Sequence, residues 1–101
     1  MILYNVTVGI DQDIEQEWLH WMLSEYIPRV MDTGFFVRYK IFKVISEESE
    51  DSVSYSIQYF ADTLDHVVRY LNEDGPALVE LHRQRYLNKH LAFRTLLEEV
   101  V

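Results

Sequence analysis

A chain of 101 residues, 49% hydrophobic and 14% aromatic, is long enough for one domain with a real core, and a single domain over residues 1–101 is expected. The formal net charge of −8 argues against nucleic acid or an anionic membrane as partner, since both require a positive surface. With no cysteine, disulfides, thiol nucleophiles and zinc–thiolate sites are excluded.

Ile2, Tyr4, Val6, Val8 and Ile10 alternate with Leu3, Asn5, Thr7 and Gly9. Period two with β-branched residues predicts a first strand. The N-terminus has no basic region ahead of it and does not read as a signal peptide. No apolar run approaches the roughly 20 residues of a membrane span, so a soluble, cytoplasmic protein is expected. A helix should follow over about Asp13 to Met31, capped by Asp11 or Asp13. Ile14, Trp18, Trp21 and Met22 form its apolar stripe, widened by Leu19, Tyr26 and Val30. Pro28 lacks an amide hydrogen and clashes with the preceding turn, which predicts a kink near Ser24 to Ile27. Thr33-Gly34 ends the element.

Phe35 to Ile45 carries bulky groups on both faces, as a central strand or one covered by a second sheet would. The acidic run Ser46 to Ser52 reads as an exposed hairpin loop. Val53, Tyr55, Ile57, Tyr59 and Ala61 mark the clearest strand. A second helix starts at Asp62 or Thr63, with Leu64, Val67, Val68 and Leu71 as its stripe. It is broken or bent at Asp74-Gly75-Pro76 and continues through Leu78, Leu81, His82, Arg85 and Tyr86. Leu91 to Leu97 forms the last strand.

The order β-α-β-β-α-β is the ferredoxin-like arrangement, an α+β fold with a four-stranded antiparallel sheet and both helices on one face. The helices should cover Ile2, Tyr4, Val6 and Val8 with Val53, Tyr55, Ile57 and Tyr59. Leu3, Asn5, Thr7, Gln58, Phe60, Arg94 and Leu96 should then form the other face. That face is too apolar to stay bare, so a twofold homodimer through it is expected.

Several residues carry a structural and a chemical reading. Glu25 and Arg29, four apart and on the same side as Trp18 and Trp21, fit an ion pair at the edge of the apolar stripe worth at most about 0.5 kcal/mol, or a charge pair lining a pocket between helix and sheet. Glu17 and His20 have the spacing of two metal ligands, but two do not make a site, and no metal is expected. His82 and Arg85 share a stripe with Leu78 and Leu81. Buried there, they need partners such as Tyr4, Tyr55, Tyr59 or Glu25. They either close the core or bring an imidazole and a guanidinium into a pocket. Asn5 and Gln58 can bond across strands. No Gly-x-Ser-x-Gly elbow, phosphate loop or ribonucleoprotein motif occurs, and no cofactor is expected.

The opening Met1-Ile2-Leu3-Tyr4-Asn5-Val6-Thr7-Val8, the Trp18-Leu19-x-Trp21-Met22 helix leading to Ile27-Pro28-x-Val30-Met31, the strand Tyr55-Ser56-Ile57-Gln58-Tyr59-Phe60 and the ending Ala92 to Glu98 resemble one family. It is a bacterial domain-of-unknown-function family of dimeric α/β-barrel proteins. The resemblance implies the fold and the dimer and brings no established activity. More remotely, the architecture is similar to antibiotic-biosynthesis monooxygenases and their haem-degrading relatives. Those have a pocket between sheet and helices, an asparagine on the first strand and, in the haem enzymes, a histidine on the second helix. Asn5 and His82 stand against these positions, while Phe60 or Ala61 stands where those enzymes have a tryptophan. Three readings follow. One is a homodimeric binding or regulatory module for a small aromatic or apolar ligand, with Trp18, Trp21, Glu25, Arg29, Tyr59, His82 and Arg85 around the pocket. The second is a cofactor-independent or haem-binding oxygenase using His82. The third is a structural dimer acting through protein partners.

Overall fold

The computed structural model describes residues 1–46 and 49–101. Strands β1 (Ile2–Asp11), β2 (Arg38–Val44), β3 (Ser52–Ala61) and β4 (His90–Glu98) form one antiparallel sheet in the order β2-β3-β1-β4. The ferredoxin-like arrangement is therefore present. The first connection carries α1 (Glu15–Trp21) and α2 (Ile27–Asp32); the second carries α3 (Leu64–Asn72) and α4 (Gly75–Arg85). Glu47 and Glu48 of the expected acidic loop lie outside the described residues; Ser46 and Ser49 to Asp51 are exposed.

Alternation dictates the central strands. In β3 the burial pattern repeats strictly, with Val53, Tyr55, Ile57, Tyr59 and Ala61 buried. Val6 pairs with Ile57 and Val8 with Tyr55, which places both apolar rows under the helices. No side chain caps the first helical segment; a 3-10 turn, Gln12–Ile14, leads into α1 instead of the expected aspartate cap. Glu15 fastens this end: its carboxylate accepts from the Tyr55 hydroxyl at 2.6 Å and pairs with Lys43 Nζ at 3.1 Å. Thr63 does cap α3, its hydroxyl accepting from the His66 amide. At Gly34, φ is 82°, the left-handed value that lets the chain leave α2.

Between α1 and α2 the chain makes a π-helical turn, Met22–Tyr26, closed by the Ile27 amide donating to the Met22 carbonyl five residues back. Pro28 explains it. Its ring would press on the Ser24 carbonyl in an unbroken α-helix, and widening the turn before it relieves that contact while Pro28 enters the first turn of α2. The extra residue also re-phases the buried face. Trp18, Met22, Tyr26 and Val30 are all buried, at steps of four, which overshoots the about 3.6-residue period of an α-helix. Glu25 and Arg29, expected beside the tryptophans, are instead exposed.

Other expectations are corrected by register. The second strand begins at Arg38, and it is an edge strand rather than a central one. Phe36, ahead of it, is buried against the rings of Tyr4, Tyr59 and Tyr70. In β4, Val6 pairs with Arg94 and Tyr4 with Leu96, so these two face the helices; Leu91, Phe93 and Leu97 take the open face. In α3, Val67 and Tyr70 are buried whereas Leu64 and Val68 are exposed.

The break between α3 and α4 is tight. A Cβ on Gly75 would lie 2.9 Å from the Tyr70 carbonyl oxygen and 3.2 Å from its ring. Gly75→Ala should cost about 1–3 kcal/mol in a denaturation curve, because the obstructing atom is backbone. An unchanged midpoint would show that the α3–α4 junction can give way.

Candidate functional site

Between the helices and the sheet lies a cavity lined by apolar side chains and a polar set: Tyr4, Tyr26, Tyr59, Tyr70, His82 and Arg94. Its free volume is about 30 Å³, room for one or two waters. The wall comes from every layer. β1 and β3 supply Tyr4 and Tyr59, the π turn supplies Met22 and Tyr26, α3 and α4 supply Tyr70 and His82, and β4 supplies Arg94. Val6, Val79 and Ala92 are half-buried and Arg94 is exposed, which puts the mouth along the β4 edge.

Apart from the tyrosines and tryptophans, His82 is the one buried residue with a polar side chain among the described residues. The Trp18 indole Nε1–H donates to its Nε2 at 2.9 Å. Indole is a donor only, so Nε2 must be unprotonated and the neutral ring carries its hydrogen on Nδ1. Burial first, then the charges of His90 and Arg94, push the His82 pKa down to about 4. Trp21, Tyr26, Tyr86 and His90 pack their rings around it, the nearest centroid 4.8 Å away. His90 is held in turn, its Nδ1–H donating to the Tyr86 carbonyl at 2.8 Å.

The phenols differ in what they bond. Tyr26 donates to the Leu78 carbonyl at 3.0 Å. Tyr4 accepts from Arg94 Nε at 3.0 Å, which leaves its own O–H to donate elsewhere. The hydroxyls of Tyr59 and Tyr70, and His82 Nδ1, find no protein partner among the described residues, yet none of these atoms is sealed from water. Burial first, then neighbouring phenols, raise the pKa values of Tyr26, Tyr59 and Tyr70. All three therefore remain protonated donors near neutral pH.

The residues predicted from sequence divide. Tyr59 and His82 line the cavity. Trp18 and Trp21 are buried but do not reach its wall; Trp18 fixes His82, and Trp21 packs against it. Arg85 is separated from His82, lying outside over the Trp21 ring and bonded to Glu17 at 2.8 Å. Glu25 and Arg29 are exposed on the helix and absent from the wall. His20 is exposed as well, and Glu17 serves Arg85 and Tyr86. Asn5 is on the open face, accepting from Ser56 at 2.6 Å and donating to Thr7 at 3.1 Å, so it does not converge with His82. Tyr26, Tyr70 and Arg94 were not among the predicted site residues. The re-phased helix explains the first, the shifted α3 stripe the second and strand register the third.

A family profile matches residues 1–100 of the chain. The protein belongs to that family, described as a domain of unknown function (DUF4286). Solved structures give the fold. An ethyl tert-butyl ether D (EthD) family protein from Bacillus halodurans is 13% identical, with TM-score 0.67 over 99% of this chain and 100% of the other. SnoaB, a cofactor-independent oxygenase from Streptomyces nogalater, is 12% identical, with TM-score 0.61 over 97% and 92%. A dimeric ferredoxin-like protein from an uncultured marine organism is 15% identical, with TM-score 0.58 over 100% and 99%. Comparison with curated proteins produced no match. Among the described residues, no helix is long and apolar enough to cross a membrane.

The depressed His82 pKa ties stability to pH. The unfolded chain takes up a proton near 6.5, whereas the folded chain resists until about 4. Stability from this group is thus complete above 6.5 and falls as pH drops through that window, by at most about 3 kcal/mol. His82→Gln retains an acceptor for Trp18 and removes the titration. Denaturation curves followed between neutral and mildly acidic pH should fall more steeply for the wild type than for this variant. Parallel curves would contradict the assignment.

Proposed function

We propose that this protein is a small ligand-binding or regulatory module whose site is the cavity between helices and sheet. The observation that carries this reading is the set of unpartnered polar atoms in it. Tyr59, Tyr70 and His82 each bring to the same space a polar atom that bonds no protein group among the described residues and stays within reach of water, so a ligand entering there meets donors that water alone would otherwise serve. The ligand is small and partly aromatic, since phenol rings and aliphatic side chains make up most of the wall. At about 30 Å³ the space holds water and not a ring. Entry therefore requires displacement at the Arg94 mouth and adjustment of Met22, whose unbranched side chain is easily repositioned.

The oxygenase reading is favoured by the likeness to SnoaB, which at 12% identity concerns the fold. It fits the geometry less well. A general base works best with a pKa near the working pH, and His82 sits near 4 with Nε2 already engaged by Trp18. A haem would need far more room than the cavity offers.

We also propose that the module is a homodimer formed through the open sheet faces. Leu91 is 81% exposed and Phe93 63%, with Phe42 and Leu97 on the same face. Burying such a surface is the usual remedy for an apolar patch of this kind.

An NMR titration with phenol, indole, benzamide and benzoate at millimolar concentration tests the pocket. At least one probe should shift the amides of Tyr59, Tyr70 and His82. Tyr59→Phe and Tyr70→Phe should weaken that binding while changing stability by no more than about 1 kcal/mol, because neither hydroxyl has a protein partner to lose. If no probe moves those amides, the pocket reading is wrong. Sedimentation equilibrium should give twice the 12.1 kDa chain mass; a monomer at working concentration would refute the dimer.

A further inference from the structure

The chain has 17 acidic residues, and none of those among the described residues lines the cavity. Its one charged lining residue is a cation, Arg94. No ion pair among the described residues involves that guanidinium. Its Nε is held by the Tyr4 hydroxyl at 3.0 Å, leaving its terminal N–H groups available at the mouth.

The polar atoms within are biased the same way. Tyr4, having accepted from Arg94, has an O–H to donate. Tyr59 and Tyr70 have O–H groups without protein acceptors, and His82 in its fixed tautomer has Nδ1–H. Among the described residues, no carboxylate or side-chain amide in the wall answers them. A space with a surplus of donors and one unpaired cation favours an acceptor-rich anion. The planar fork of arginine matches a carboxylate in particular.

We infer that the ligand is a small carboxylate with an apolar or aromatic body, its anionic group held at Arg94 and its body among the cavity phenols. This rests on the pocket reading above and adds the ligand's charge and chemical class. Arg94 at the mouth draws the anion in, although the net charge of −8 repels anions from the rest of the surface. The tyrosine hydroxyls then receive the carboxylate or other acceptors on the body.

Benzoate and benzamide, alike in shape and different in charge, separate the two ideas. Benzoate should shift the Tyr59, Tyr70 and His82 amides at concentrations about tenfold or more below benzamide, and added salt should weaken it. Arg94→Gln, at an exposed position, should abolish that preference and keep the wild-type melting temperature. Arg38→Gln, on the open face, should leave it intact. Equal binding of both probes would overturn the carboxylate assignment and leave the pocket standing. Binding of neither these nor phenol and indole would overturn both. If Arg94→Gln changed the sedimenting mass and not benzoate binding, Arg94 would be an interface residue and the inference would fail.

Discussion

The π turn ahead of Pro28 is the constraint on which the site depends. A proline in mid-helix removes one donor and crowds the carbonyl four residues back. Here the helix accommodates it by widening over Met22–Tyr26, and the widened turn decides which side chains meet the sheet. Met22 and Tyr26 enter the cavity wall, while Glu25 and Arg29 turn to solvent. An unbroken α-helix would have carried a charge pair toward the tryptophans. One residue of extra phase instead brings Tyr26 and Val30 into line with Trp18 and Met22.

On the far side of the cavity, the Trp18–His82 hydrogen bond plays the matching part. It joins residues 64 apart and commits the imidazole to one tautomer. The ring is then a neutral donor rather than a titrating base, in keeping with its low pKa. With the protonated phenols and Arg94, the result is a donor-rich space inside an acidic molecule. Such a space suits the proposed recognition of charge and shape, which requires no reactive group.

The fold was legible because period two in β1 and β3, and the two helical stretches, are local signals that tertiary contacts reinforce. The site was less legible, for two physical reasons. A one-residue phase change in a helix cannot be read from apolar spacing when Trp21, Met22, Tyr26 and Ile27 fit more than one stripe. Strand register is also ambiguous where both rows of a strand are apolar. In β4 the row Leu91, Phe93 and Leu97 is the more apolar, yet it lies on the open face, while Arg94 is on the helix side of the sheet, exposed at its edge. Hydrophobicity favoured the wrong row because the open face is itself apolar. His82 and Tyr59 were found because a polar residue on a buried stripe is conspicuous in sequence. Arg85 shares that stripe but sits at the last turn of α4, where the helix end lets its long side chain reach Glu17.

On this proposal the cavity is a binding site rather than a gap in the core. A high-resolution crystal structure of the purified protein tests it most directly. Ordered density, water or ligand, is expected within hydrogen-bonding distance of the Tyr59 and Tyr70 hydroxyls, with Arg94 at the mouth. Closed space, with both hydroxyls bonded to protein groups and Arg94 paired with a carboxylate of its own chain, would contradict it.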